Sequence, residues 1–529
     1  MDNDMFGSIM LKIRKELVLL VLLVVLLIVL HGFVLYQKFG MNDSITTKRF
    51  YLPDCFHTPV LQITNNESTE KKGVIILVHG FQCNKSMMAQ LGKYLASQGL
   101  DVYAIDLPGH GESHMRYTQE NNYEAAKQAV EEIDKAAGGS NIQIILIGHS
   151  WGSMVLGPVA LERLDTTASI YIGPGYVKDL NPDRPRNVLI ITAEHDYEFV
   201  KAAAQKNFDE LTGQDKSKPG SRRFGDMAAG TARAWEEVPH TAHVSLLLSD
   251  DVYRNVREWV EQALQTKLST SGNYSIMPAR LDLVIVLIIC AVFASLISKI
   301  IPVNAEGDRS LARNWLRTFL FLGYGILCGT VVVQYFAPLR FLHLMEGETL
   351  ASLIFTSGIL ASFFYLILER RLAVPSASEV MGDIVVALFG FCALYFSLVF
   401  ATEQDFFHVE LSFGRPGRVL AFTTIALCSL PFSLLVERLM RQIQSKFRKF
   451  LPGVIASSLI AAIFYAMFPL SFLVTRNWLF RFTGVLLATM GYCAFIGAIF
   501  YSNRKSILAG AVFTSLVVGW MISVSFIYY

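Results

Sequence analysis

Charged residues are scarce in this sequence. They make up 17% of the 529 residues, whereas hydrophobic residues make up 53%, and an ordinary soluble domain is about a quarter charged. The formal net charge is only +2, so the composition provides no strongly basic surface, and no nucleic-acid partner is expected. The excess of apolar residues instead predicts segments that lie in a membrane.

Cysteine is also rare, and no zinc-type spacing of Cys and His occurs. Neither a metal nor another cofactor is therefore expected. Five of the seven cysteines lie in apolar stretches, where small core side chains are the usual role: Cys290, Cys328, Cys392, Cys428 and Cys493. Cys55 and Cys83 lie in a more polar part, where the sequence is compatible with a disulfide and equally with two free thiols.

A long apolar run lies near the first residues. Residues 17–36 are an almost unbroken run of Leu, Val and Ile, and about 20 such residues suffice to cross the ~30 Å core of a bilayer. A cleaved signal peptide has a similar pattern, but this run is longer than a typical signal core, and no clear cleavage site follows it. We therefore predict an uncleaved transmembrane anchor at 17–36, preceded by a cytoplasmic segment at 1–16.

A second membrane region is predicted for residues 281–529. Apolar runs recur there, which predicts an all-α transmembrane bundle of about eight helices: 281–301, 315–337, 350–368, 379–401, 418–436, 451–474, 478–501 and 506–527. Few charged side chains lie deep in these runs. The region is therefore expected to anchor the protein, give lipids access or bind a partner rather than to pump ions.

The loops between these runs alternate in charge. Basic residues concentrate in every second loop: Lys299, Arg309 and Arg313; Arg370 and Arg371; Arg438, Arg441, Lys446, Arg448 and Lys449; Arg504 and Lys505. Because basic loops stay in the cytoplasm, the N-terminus is predicted to be inside, and the 50–280 segment and the C-terminus outside. The sequence thus predicts a multi-pass protein of the cell membrane with an extracytoplasmic domain.

Residues 50–266 alternate strand and helix patterns, which is typical of an α/β domain. The clearest motif is Gly-His-Ser-Trp-Gly at 148–152, which follows an apolar strand pattern at 142–147 and precedes a helix pattern at 154–164. A serine between two glycines at such a turn is the nucleophile elbow, which presents its hydroxyl at the top of a sheet. Ser150 is therefore the predicted nucleophile.

Two further motifs precede the elbow. A strand pattern at 74–78 ends in His-Gly-Phe at 79–81, and a strand pattern at 101–106 leads into Leu-Pro-Gly-His-Gly-Glu-Ser at 107–113. In order and spacing, the three motifs resemble the α/β-hydrolase superfamily, in particular its branch of monoacylglycerol lipases, carboxylesterases and serine aminopeptidases. The resemblance covers about residues 70–262. It implies an α/β-hydrolase fold, with a mostly parallel sheet and helices on both faces.

The resemblance also implies how the oxyanion of the reaction would be bound. The backbone N–H groups of Phe81 and Trp151 are the expected donors. The Gly-His-Gly turn is structural in such folds, so Asp106 and His110 are not counted among the catalytic residues.

The acid and the base follow by resemblance as well. Asp196, after a late strand pattern, takes the place of the acid, with Glu194 as the alternative. His243 takes the place of the base because it precedes a helix pattern that packs back on the sheet, with His240 as the alternative. The expected triad is thus Ser150, His243 and Asp196.

The substrate is less directly encoded. Residues 173–186 are too few for a helical lid, whereas residues 197–230 form a longer basic insertion. This insertion is either a solvated excursion or a surface for anionic lipid headgroups. The sequence favours a serine hydrolase that cleaves the acyl ester of a membrane lipid or small molecule. A peptidase or amidase of the same fold, and a transport or sensory protein with a non-catalytic domain, are the alternatives.

Overall fold

The computed structural model describes most of the chain: Val18, Leu22, Val25 and Val29, and residues 44–66, 72–138, 142–220, 224–268, 277–301, 315–369, 376–403, 413, 416–447, 449–471 and 483–529. Two compact units result. The sheet unit includes Val34–Leu281 and Ile527–Tyr529, and the helical unit includes Asp282–Phe400 and Leu411–Phe526. Apart from four isolated helical positions, the predicted anchor at 17–36 lies outside the described residues.

The sheet unit contains eight strands in the order β1-β2-β4-β3-β5-β6-β7-β8. Their bounds are β1 Ile45–Tyr51, β2 Pro59–Asn65, β3 Val74–Val78, β4 Asp101–Ile105, β5 Ile144–His149, β6 Thr166–Ile172, β7 Val188–His195 and β8 Arg233–Ala242. Strand β2 pairs antiparallel with both β1 and β4, and the remaining pairs are parallel. Strands β3 and β5 are buried along their whole length, which is expected of parallel strands covered on both faces.

Five helices cover the two faces of this sheet: α1 Ala89–Ala96, α2 Gln119–Ala137, α3 Trp151–Glu162, α4 Glu198–Thr212 and α5 Asp250–Leu264. Alternate residues of β3 point to opposite faces. Ile75 and Leu77 join the apolar core with α1 and α5, and Val74 and Ile76 join the core with α2 and α3. The predicted arrangement, a mostly parallel sheet between two helical layers, is thereby confirmed.

Two features of this unit were left open by the sequence. The first strand, β1, begins at Ile45, and its polar segment up to Arg49 pairs residue by residue with β2. An edge strand that is polar on both faces contains no apolar run or alternation from which it could be predicted. The sequence was compatible with a disulfide between Cys55 and Cys83 and with two free thiols. In the structure both residues are free thiols.

The basic insertion at 197–230 contains α4. Two of its lysines have partners within the same unit. Lys201 Nζ donates to the carbonyl oxygen of Glu194 (2.5 Å) and lies 3.3 Å from Glu237 Oε2. Lys206 Nζ lies over the ring of Tyr176, 3.8 Å from its centroid. These contacts favour the interpretation of the insertion as part of the folded domain surface.

Eight helices are described in the rest of the chain: α6 Met277–Ile300, α7 Trp315–Tyr335, α8 Gly347–Glu369, α9 Ala377–Glu403, α10 Pro416–Gln444, α11 Phe450–Ser471, α12 Thr483–Arg504 and α13 Leu508–Ser525. Within the described residues, five are long and apolar enough to cross a membrane: α7, α8, α9, α10 and α13. These helices indicate a membrane-associated protein.

Helix α10 corrects one predicted loop. Arg438 and Arg441, counted above as loop residues, lie in this helix, which continues to Gln444. Arg441 is buried, with Nε 2.9 Å from Glu437 Oε1 and Nη2 donating to the Ala494 carbonyl (3.0 Å). Glu437 and Arg441 are one helical turn apart, and together with the Ala494 carbonyl the carboxylate provides acceptors for the buried guanidinium. Helix α10 can therefore extend beyond the apolar run predicted at 418–436.

Candidate active site

Ser150 lies in a strained turn between β5 and α3. Its backbone has φ 51° and ψ −115°, a region that non-glycine residues rarely occupy, at a cost of about 1–3 kcal/mol. The Ser150 N–H donates to the carbonyl oxygen of Ile172 (2.8 Å), which ties the turn to the end of β6. This hydrogen bond to β6 holds Ser150 in its strained conformation.

The glycines around this turn are required by close packing. A Cβ on Gly152 would overlap the carbonyl oxygens of Val78 and His79, and a Cβ on Gly148 would overlap the backbone of the turn itself. A Cβ on Gly80 would lie 3.2 Å from the Cβ of Ser150. The His-Gly-Phe segment after β3 thus lies directly beside the serine.

Ser150, His243 and Asp196 form one chain of hydrogen bonds. The Ser150 hydroxyl donates to His243 Nε2 (2.9 Å), and His243 Nδ1 donates to Asp196 Oδ1 (2.8 Å). The Asp196 side chain is fully buried, and its carboxylate also accepts from the N–H groups of Ala193 (3.3 Å) and Tyr197 (2.9 Å). These backbone donors stabilise the ionised carboxylate that orients the imidazole.

The two alternative residues pair with each other instead. Glu194 Oε2 accepts from the backbone N–H of His240 (2.7 Å), and this hydrogen bond is the main cause that lowers the pKa of the Glu194 carboxyl. The His240 side chain is 93% exposed. The structure therefore brings Asp196 and His243 to Ser150, and it leaves Glu194 and His240 at the surface.

Phe81 and Trp151, the predicted oxyanion donors, flank the serine. Trp151 is the first residue of α3, so its N–H has no acceptor within the helix. Among the described residues, neither of these two N–H groups donates to another backbone carbonyl. The positive end of the α3 dipole adds to the attraction for an anion at this point.

An aromatic wall lies beside the serine, which we define as Phe81, Tyr117 and Trp151. The three ring centroids are 5.8 to 6.3 Å apart, and each ring is partly exposed. His110 lies behind this wall, buried, 5.9 Å from the Tyr117 ring. No sequence motif pointed to Tyr117, because only folding of the loop after β4 brings it to the other two rings.

The alpha/beta hydrolase family model matches residues 75–291. The sheet unit has the α/β-hydrolase fold. No curated protein matches the chain.

Solved structures with similarity to this hydrolase domain include TT1662 from Thermus thermophilus, with 18% identity, a TM-score of 0.33 and coverage of 42% of this chain and 99% of that chain. A soluble variant of monoglyceride lipase from Saccharomyces cerevisiae is 13% identical, with a TM-score of 0.31 and coverage of 41% and 96%. The monoacylglycerol lipase of Paleococcus ferrophilus is 16% identical, with a TM-score of 0.28 and coverage of 41% and 99%. At these values the three structures say nothing about the activity of this chain.

A buried ion pair holds the loop after β4 of the hydrolase domain. Lys85, fully buried, places Nζ 2.5 Å from Asp106 Oδ2 and 2.6 Å from Glu112 Oε2. The backbone N–H groups of Lys85 and Glu112 also donate to the Asp106 carboxylate. Burial alone would raise the pKa of the Asp106 carboxyl, but the charges of Lys85 and His79 outweigh burial, and this pKa lies below its usual range. Asp106 is therefore structural.

Replacing Lys85 with methionine is expected to lower the free energy of unfolding by about 3–5 kcal/mol, because the Asp106 carboxylate would stay buried without its main cation. Thermal unfolding of the detergent-solubilised full chain measures this. The control is Lys127→Met, which breaks an exposed pair with Glu162 (2.7 Å) and is expected to change the unfolding temperature little, because solvent screens such a pair. Equal effects of the two substitutions would contradict the structural role of Lys85.

Proposed function

We propose that this protein is a membrane-anchored serine hydrolase that cleaves an acyl ester, with Ser150 as nucleophile. The observation that carries the proposal is the hydrogen-bonded chain from Ser150 through His243 to Asp196 on a strained elbow. A serine hydroxyl is a weak nucleophile unless a base takes its proton. A serine with a purely structural role would require neither such a base nor a buried carboxylate that orients it.

The reaction would proceed in two steps. As the Ser150 oxygen attacks the ester carbonyl, His243 takes the hydroxyl proton, and Asp196 stabilises the imidazolium. The N–H groups of Phe81 and Trp151 hold the oxyanion, and each such donor is worth about 10²–10³ in rate. His243 then gives the proton to the leaving alcohol. His243 then deprotonates the water that attacks the acyl-enzyme, and it returns this proton to the Ser150 oxygen as the bond from Ser150 to the acyl group breaks and the acid leaves.

An apolar rim beside His243 favours an acyl substrate, and we define it as Tyr197, Phe199 and Val244. The Tyr197 ring lies 5.4 Å from the His243 ring, and Phe199 stacks on Tyr197 at 5.5 Å with an interplanar angle of 12°. Phe199 is 48% exposed and Val244 is 44% exposed. Apolar side chains exposed at the mouth of a site can cover an acyl chain that would otherwise contact water.

Replacing Phe199 and Val244 together with serine is expected to raise KM for a long-chain ester about tenfold, since roughly 1.4 kcal/mol of apolar contact would be lost. Hydrolysis of an acetyl ester should stay unchanged, because its short acyl group does not reach the rim. Leu164→Ser is the matched control, as Leu164 is 61% exposed and lies in the turn before β6, at the amino ends of the parallel strands, whereas the site lies at their carboxyl ends. An equal loss with both esters would contradict the role of the rim.

We further propose that the domain faces the outer side of the cell membrane. The charge pattern of the loops supports this, because it places the domain and the C-terminus on one side. A membrane-impermeant fluorophosphonate should therefore label intact cells. Labelling only after permeabilisation would contradict this orientation.

A further inference from the structure

The segment Ile527–Tyr529 belongs to the same compact unit as the hydrolase domain, although more than 250 residues separate the two in sequence. Ile527 is 1% exposed. The Tyr528 N–H donates to the Gly109 carbonyl (3.1 Å), while the Gly109 N–H donates to the carbonyl of Met115 (2.8 Å). Both backbone groups of Gly109 are thus held, one of them by this distant segment.

Three groups converge on the Cα of Gly109. A Cβ placed there would lie 2.5 Å from Tyr117 Cβ, 2.9 Å from Ile527 Cγ2 and 3.1 Å from the Tyr528 carbonyl oxygen. Gly109 also has φ +84°, which favours glycine on conformational grounds alone. The Cγ2 methyl group of Ile527 and the Cβ of Tyr117 therefore pack against the same atom, the Cα of Gly109.

The turn at Gly109 is connected to the aromatic wall in two ways. Tyr117 is itself a member of the wall, 5.8 Å from the Phe81 ring and 6.3 Å from the Trp151 ring. The preceding residue of the turn, Pro108, accepts a hydrogen bond from Asn122 Nδ2 (3.3 Å), and Asn122 Oδ1 accepts one from Trp151 Nε1 (3.2 Å). The turn at Gly109 is thus joined to the residue that follows Ser150.

We propose that Ile527 and Tyr528 are positioning residues of the active site. They hold the Gly109 turn, and the turn holds Tyr117 in the aromatic wall, which on this proposal contacts the acyl group of the substrate together with the apolar rim. This inference rests on the proposed ester hydrolysis. The elbow has its own supports at Ile172 and Gly80, so the segment is expected to affect the binding of the acyl group and not the reactivity of Ser150.

Two pairs of substitutions in the whole chain test this. Tyr528→Pro removes the N–H that holds Gly109, and Tyr528→Ala keeps it. Ile527→Ala removes the Cγ2 methyl group, and Ile527→Val keeps it. We expect the first member of each pair to raise KM for a long-chain ester about fivefold, the factor that corresponds to one net hydrogen bond or one buried methyl group, with kcat unchanged. The second member should stay within about twofold of the wild type.

A double-mutant cycle with Tyr117 separates positioning from a general loss of stability. Tyr117→Ala should raise KM by itself, and Tyr528→Pro should then add no further increase, because the ring that it positions is gone. Fully additive effects, or equal values within each pair of variants, would overturn the inference. If Tyr528→Pro fails to fold, the Ile527 pair gives the same answer. A wild-type protein that neither hydrolyses esters nor reacts with a fluorophosphonate would instead refute the proposed function.

Discussion

Replacement of Ser150 with alanine abolishes labelling by a fluorophosphonate and lowers ester hydrolysis by about 10⁴–10⁶-fold, if the proposed function is correct. The hydroxyl is the atom that forms the covalent bond, and its hydrogen bond to His243 Nε2 (2.9 Å) prepares it for deprotonation. Removing it leaves only the oxyanion donors and substrate binding to accelerate the reaction. Labelling of the full chain in membranes, read by in-gel fluorescence, measures the first effect directly.

Ser153 provides the matched control for this experiment. It is the third residue of α3, fully buried, and its hydroxyl donates to the Gly148 carbonyl (2.7 Å). Ser153→Ala should therefore keep its labelling, apart from losses caused by lower stability. The unfolding temperature of each variant shows whether it has folded. Continued labelling of folded Ser150→Ala protein would refute the assignment of the nucleophile.

The Asp196→Asn substitution is expected to lower kcat by about 10⁴-fold with little change in KM. Asparagine has the same shape, so the elbow should keep its geometry. Its amide no longer stabilises the imidazolium of His243, and it allows the tautomer in which Nε2 carries the proton and cannot accept one from Ser150. Steady-state kinetics with a short-chain ester isolates this effect, because such a substrate does not depend on the apolar rim.

Glu194→Gln is the control that distinguishes the two carboxylates. The Glu194 side chain accepts a hydrogen bond from the His240 N–H, and a glutamine oxygen can accept the same bond, so activity should stay within about twofold of the wild type. His240→Ala and His243→Ala provide the corresponding comparison for the base. A loss at Glu194 as large as that at Asp196 would show that the wrong acid had been assigned.

Much of the hydrolase domain follows from local sequence patterns. Apolar runs of five to seven residues mark the parallel strands, because both faces of such a strand are buried. Since parallel strands present their carboxyl ends at one edge of the sheet, residues that follow β5, β7 and β8 are expected to lie close together. The resemblance implied the order Ser150, Asp196, His243, which is consistent with this expectation, and the structure shows these side chains in hydrogen-bonding contact.

Local sequence patterns could not decide which of two nearby residues in one loop belongs to the catalytic site. Asp196 and Glu194 are two residues apart at the end of the same strand, and both are carboxylates. Only the tertiary structure decides that Asp196 is buried against His243 whereas Glu194 reaches the exposed loop at His240. Helix α10 shows the same limit, because the burial of Arg441 depends on acceptors in another helix.

The sequence by itself determined the serine turn with its two glycines, the strand before it, the helix after it and the division into a polar domain and apolar helices. These features depend on residues within a few positions of one another, and so they leave a periodic pattern or a short motif. The tertiary structure alone decided which carboxylate meets the histidine, that Tyr117 joins the aromatic wall, and that Ile527 packs on Gly109. Those contacts join residues far apart in the chain, and a contact of that kind leaves no periodic signal in the sequence.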